Sequence, residues 1–144
     1  MSFPKSELIW MNGKLVPWDD AKIHIGSHVI HYASAVFEGV RCYATPEGPA
    51  VFRLDAHTDR LYASAKIYRM DPPVGPADFN QAILETVSAN RIDACYIRPL
   101  IYRGYGQLGV STQGNPVETV IMSWPWGAYL GEDALTKGIS ASIS

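Results

Sequence analysis

Only two cysteines occur in the 144 residues, Cys42 and Cys95. They are too few for a disulfide framework, and their spacing fits no metal site. They read as free thiols in a reducing compartment. Charge is sparse as well. Asp, Glu, Lys and Arg make up 18% of the chain and nearly cancel, leaving a net charge of −2. A nucleic-acid surface needs a basic excess, which is missing. No apolar run is long enough to span a bilayer, and the opening MSFPKSELIW lacks the apolar core of a secretion signal. These absences point away from nucleic-acid and membrane partners and toward a cytoplasmic protein. Internal repeats and low-complexity tracts are lacking too. What is present is a 47% hydrophobic chain, long enough for one domain with a real core.

The element order predicts an α+β fold, a mainly antiparallel sheet with two helices packed on it. ELIWMNGKLVPW reads as a hairpin around Asn12–Gly13, a pair suited to a type I′ turn. DDAKIHIGSHVIHYASA reads as a loop or short helical turn. A strand is expected from Phe37 to Tyr43, then the turn ATPEGPA and a short strand near Val51 and Phe52. A helix follows, with Asp55 as N-cap and Leu61, Ala65 and Tyr68 on one stripe. A second runs from about Pro76 to Asn90, with Phe79, Ile83 and Val87 facing inward. Strands ACYIRPLIY and VETVIMSW close the set. Residues 1–126 are thus expected to form a small α+β domain and 127–135 a linker. Residues 136–144, where Ile139, Ala141 and Ile143 alternate with serines, are expected to be the first strand of a second, truncated domain.

Two motifs carry little. GYGQLG, from Gly104 to Gly109, matches a dinucleotide fingerprint, but VSTQGNP follows it where a helix must begin. His28 and His31 share a helical face without a third ligand nearby, so no metal site is assigned. The arginines are more telling. In VFEGVRCY, period-two alternation sends Phe37, Gly39, Arg41 and Tyr43 to one face and Val36, Glu38, Val40 and Cys42 to the other. In YIRPL, Tyr96 and Arg98 share a face. If these strands lie in one sheet, two arginines and their phenols gather over one surface suited to a carboxylate, with Phe37, Trp126 and Tyr129 as apolar walls. The alternative is structural, each arginine paired with a carboxylate such as Glu38 or Glu118. Arg60, read as lying in the first full turn of its helix, holds either a phosphate or nothing but solvent.

HYASAVFEGVRCY, HTDRLYASAKIY, YIRPLIYRGYGQLGV and WPWGAYLG together resemble the branched-chain amino acid aminotransferases, pyridoxal-phosphate enzymes of fold type IV. The resemblance implies the small N-terminal domain of that fold. It implies transfer of the amino group of leucine, isoleucine or valine to 2-oxoglutarate in a homo-oligomer that is at least a dimer. It implies that Arg60 binds the cofactor phosphate. Phe37, Gly39, Arg41, Tyr96 and Arg98 would meet the substrate, Trp126 and Tyr129 would wall the side-chain pocket, and Tyr32 and Val110 would reach the neighbouring subunit's site. The family's Schiff-base lysine falls beyond Ser144: none of Lys5, Lys14, Lys22, Lys66 and Lys137 sits in its context. No catalytic residue is therefore assigned here, and the 144 residues alone are expected to be inactive. The rival readings are a D-amino acid aminotransferase, an aminodeoxychorismate lyase, or a carboxylate-binding module without catalysis.

Overall fold

A computed structural model of the chain describes residues 4–127 and 136–142. The hairpin expected at the start is β1 (Leu8–Met11) and β2 (Lys14–Pro17). Its turn residues Asn12 and Gly13 both take positive φ, 49° and 93°, the conformation a type I′ turn demands. The ambiguous stretch that follows resolves into a 3-10 turn at Trp18–Asp20 and a short helix α1 (His28–Tyr32).

The single strand expected from Phe37 is two: β3 (Ala35–Phe37) and β4 (Val40–Thr45), interrupted at Glu38 and Gly39. Both pair with β6 (Cys95–Arg103) in one continuous register, so the interruption does not reverse the faces. A two-residue turn leads to β5 (Gly48–Val51), which pairs with β4. The chain enters α2 (Leu54–Ile67) through Arg53 at φ 48°, not through Asp55, which instead accepts a hydrogen bond from Asn80 at 2.7 Å. The stripe on α2 is Leu61 and Ala65. Tyr68 lies just past the helix end and is exposed, and buried Met70 takes its place in the core. Helix α3 (Pro76–Ala89) buries Phe79, Ile83 and Val87 as its periodicity requires.

With β7 (Val117–Trp124), all strands form one antiparallel sheet in the order β2-β1-β7-β6-β4-β5, and β3 also joins β6. Alternation sorts its two faces. One face sends Trp10, Val36, Val40, Ile97 and Ile121 against Leu61, Phe79 and Ile83 of the helices, which is the main core. Truncating one of these side chains to alanine costs about 2–5 kcal/mol. The opposite face is only half covered. Ile9, Tyr102 and Val120 pack there with Trp18, Ala21 and Val29, while the end near β4 lies open. In residues 136–142, Thr136 and Lys137 are helical and no strand pairing forms among the described residues; a strand there needs a neighbour to pair with. Most of residues 127–135, Tyr129 included, lies outside the described residues.

Candidate functional site

The open end of the sheet holds the arginine face. Arg41 sits directly across from Tyr96, and Tyr96 directly across from Trp124. Arg41, Tyr96, Arg98 and Trp126 line a cavity of about 370 Å³. Arg98 Nη2 donates to Tyr96 Oη at 3.0 Å. Its guanidinium centre lies 4.4 Å from the centroid of the Phe37 ring and 5.2 Å from that of Tyr96. Phe37 is 58% exposed, an unusual state for a ring on a strand unless something else is to cover it. Tyr96 packs edge-on against Trp126 at 4.7 Å, and Trp126 stacks on Trp124 at 5.6 Å. At Gly39 the reason for glycine is steric. A Cβ there would be driven into the Tyr96 phenol, reaching Cζ at 3.0 Å and Oη closer still. Gly39 therefore clears space for Tyr96 before it clears any for a ligand.

The two carboxylates named as structural partners for these arginines, Glu38 and Glu118, are engaged elsewhere. Among the described residues neither Arg41 nor Arg98 makes an ion pair. Glu118 is occupied by Tyr102 at 2.7 Å and Asn12 at 3.2 Å. Glu38 faces the other side of the sheet. Buried Arg98 Nε has no acceptor among the described residues. A buried guanidinium N–H without a partner costs on the order of 1–3 kcal/mol, so Arg98 keeps a donor in reserve for an acceptor outside that set.

On the helix side of the same strand lies a second cluster. Arg60 donates from Nε to Glu38 Oε1 at 2.5 Å and from Nη2 to Oε2 at 2.6 Å, and His57 Nδ1 lies 3.0 Å from Oε2. Burial pushes the Glu38 carboxyl up, but the hydrogen bonds and charge of Arg60 and His57 outweigh it and leave it below the usual range. Arg60 is shifted upward by the hydrogen bond to Glu38. Arg60 lies in the second turn of α2, too far along for the helix end to act on it as its sequence position suggests. Its side chain is 66% exposed, beside a cleft of about 390 Å³ bounded by Phe52, Arg53, Ala56 and His57.

Tyr32 and Val110 are apart from both clusters and line neither cavity. Val110 is 91% exposed, and Tyr32 is exposed at the end of α1. One residue joins them. His28, buried under Tyr32 at 4.5 Å between rings, donates from Nε2 to the Gly109 carbonyl at 3.0 Å and accepts at Nδ1 from Ser34 Oγ at 2.8 Å. The structure thus gathers Phe37, Gly39, Arg41, Tyr96, Arg98 and Trp126, and sets Arg60 across the strand.

Glu38, His57 and Trp124 join these clusters without having been expected there. The spacing of His57 and Arg60, three apart on one helix, is the available signal for His57, and nothing local signals Glu38. The cysteines are free and buried, and burial pushes the Cys95 thiol up to about 12, which makes it unreactive.

Residues 35–143 match the family model of Amino-transferase class IV. The chain is 45% identical over 137 residues to the branched-chain-amino-acid aminotransferase of Pseudomonas aeruginosa, covering 95% of this chain and 45% of that one. The crystal structure of the Escherichia coli branched-chain amino acid aminotransferase superposes with a TM-score of 0.93 at 44% identity, covering 97% of this chain and 46% of that chain. The branched-chain aminotransferase of the archaeon Thermoproteus uzoniensis with norvaline gives a TM-score of 0.82 at 37% identity, covering 86% and 42%. That of Thermobaculum terrenum in its PLP form gives 0.78 at 28% identity, covering 90% and 43%. The chain spans about half the length of the curated relatives it matches.

Proposed function

Because the chain belongs to the class IV aminotransferases, we propose that it is the small domain of a pyridoxal-phosphate enzyme that moves amino groups between branched-chain amino acids and 2-oxoglutarate. The observation that carries the reading is the pair of arginines without carboxylate partners among the described residues, with Arg98 Nε buried and unbonded beside an aromatic wall. Such a surface suits a ligand that is apolar at one end and anionic at the other, and it also suits a dicarboxylate. Arg98, with Tyr96 and the Phe37 ring beside it, takes the distal carboxylate of a dicarboxylic substrate such as glutamate. Arg41 adds charge across the strand pair. Phe37 and Trp126, with Tyr129, exclude water from an aliphatic side chain.

The residues present fit the cofactor. Arg60 spends two of its five N–H donors on Glu38, which leaves three for a phosphate. Pyridoxal phosphate, when bound, supplies the electron sink on which amino-group transfer depends. The domain division follows the same reading, with 1–126 as the small domain, 127–135 as linker, and 136–144 opening the domain that carries the cofactor lysine. Tyr32, the Val110 loop and the apolar groove between Met11, Ile23, Ile30 and Met122 are the surfaces through which a second subunit docks, giving a cytoplasmic homo-oligomer.

The test is an amino-transfer assay of the full-length protein with pyridoxal phosphate and 2-oxoglutarate. Turnover of L-leucine, L-isoleucine and L-valine is expected. Turnover confined to D-amino acids, or a lyase product in place of glutamate, would overturn the reading.

A further inference from the structure

Glu38 lines neither the arginine cavity nor the Arg60 cleft, yet it is a nearly enclosed carboxylate bonded to Arg60 and His57. We propose that Glu38, seconded by His57, is a positioning residue that fixes the Arg60 guanidinium for the cofactor phosphate. The inference rests on the reading of Arg60 as the phosphate ligand.

Strand alternation places Glu38 on the helix side of the sheet, between Val36 and Val40, with its side chain only 8% exposed. A carboxylate in that position is costly unless it is neutralised. Helix α2 supplies two neutralising groups from one face, His57 and Arg60. The bond to Arg60 is two-pronged, which fixes the plane of the guanidinium as a single contact does not. An arginine two-thirds exposed on a helix otherwise samples many rotamers and must give them up when it binds. With Nε and Nη2 held by Glu38, Nη1 and the remaining Nη2 proton are left for an acceptor, beside a second cation, Arg53, at the rim of the same cleft.

Charge and positioning give opposite signs for one substitution. Glu38 is an anion close to a phosphate ligand. If only charge counted, removing it would tighten the cofactor. If Glu38 acts by holding Arg60, removing it loosens the cofactor.

The experiment is a spectroscopic titration of the apo full-length protein with pyridoxal 5'-phosphate, and separately with pyridoxal, for the wild type, Glu38→Gln, His57→Leu, His57→Asn and Arg60→Ala. Glu38→Gln is expected to weaken pyridoxal phosphate by about tenfold and pyridoxal hardly at all. His57→Leu is expected to weaken it about threefold, with His57→Asn, which keeps an N–H for Glu38, restoring most of the loss. Tighter or unchanged binding in Glu38→Gln overturns the inference, as does an equal loss for pyridoxal, which would mean general damage. Should Glu38→Gln fail to fold, the His57 pair decides, and equal affinities for its two variants overturn the inference. Arg60→Ala separates the two layers. If it leaves pyridoxal phosphate affinity unchanged, the phosphate reading itself falls. If it weakens binding while Glu38→Gln does not, only the positioning role falls.

Discussion

The two faces of the strand pair β3–β4 treat arginine in opposite ways. On the helix face Arg60 is held by a buried carboxylate that a histidine also contacts. On the open face Arg41 and Arg98 have no anion among the described residues, and their neighbours are aromatic rings. Under the proposed function, the difference matches two kinds of ligand. A cofactor phosphate is the same in every turnover, so its arginine gains from being fixed in advance. A substrate site that must take an aliphatic side chain and a second carboxylate in turn needs a cation that is not already neutralised. Aromatic faces can support such a cation without competing for it, at about 0.5–2 kcal/mol per contact.

The largest expected effect breaks the helix face. Arg60→Ala in the full-length protein should weaken cofactor retention by roughly 100-fold, read by dialysis followed by back-titration. Once the cofactor is saturating, leucine and glutamate should lose activity in parallel, because the phosphate grip is common to both. A smaller effect sharpens the open face. Gly39→Ala pushes its new methyl against the Tyr96 phenol and disturbs the 3.0 Å bond from Arg98. A loss of about 0.5–1.5 kcal/mol in substrate binding is expected, with cofactor affinity unchanged. Equal effects on both ligands would mean that the two faces are not independent.

The smallest effect is a pH dependence. The Glu38 carboxyl lies below its ordinary range when folded, so its contribution to stability is complete above the unfolded value and is lost as pH falls through the folded one. Wild-type thermal stability should therefore drop more steeply than that of Glu38→Gln below the ordinary carboxylate range. The gap should close by roughly 1–3 °C on acidification. Parallel curves would show that the ion pair adds nothing to folding.

How legible is this contrast in the chain itself? The open face is legible, because alternation along VFEGVRCY and YIRPL depends only on local geometry, and the register with β6 preserves it across the break at Glu38 and Gly39. The hairpin at Asn12–Gly13 is legible for the same reason: positive φ is a local demand. The helix face is not. Glu38 meets Arg60 across 22 residues of sequence, through a strand, a turn and a helix entry, and no local period encodes that. The sequence leaves Arg60 as either a phosphate ligand or a solvated residue, and the structure adds a third condition, that it is held by a carboxylate. The entry to α2 differs from the expected Asp55 cap because Arg53 adopts a left-handed conformation that its residue type does not announce. The choice between Glu38 and Glu118 as partners for Arg41 and Arg98 needs the topology as well, since both carboxylates have other donors to satisfy.

The central claim is that the open face keeps its arginines free for a substrate's second carboxylate. It is tested most directly by single-turnover rates of the full-length protein with glutamate and with leucine, for the wild type and Arg98→Ala. A lost charge-assisted bond is worth roughly 1.5–3 kcal/mol, so the ratio of the glutamate rate to the leucine rate should fall about tenfold or more. A ratio that does not move, with both rates lowered alike, would contradict the claim.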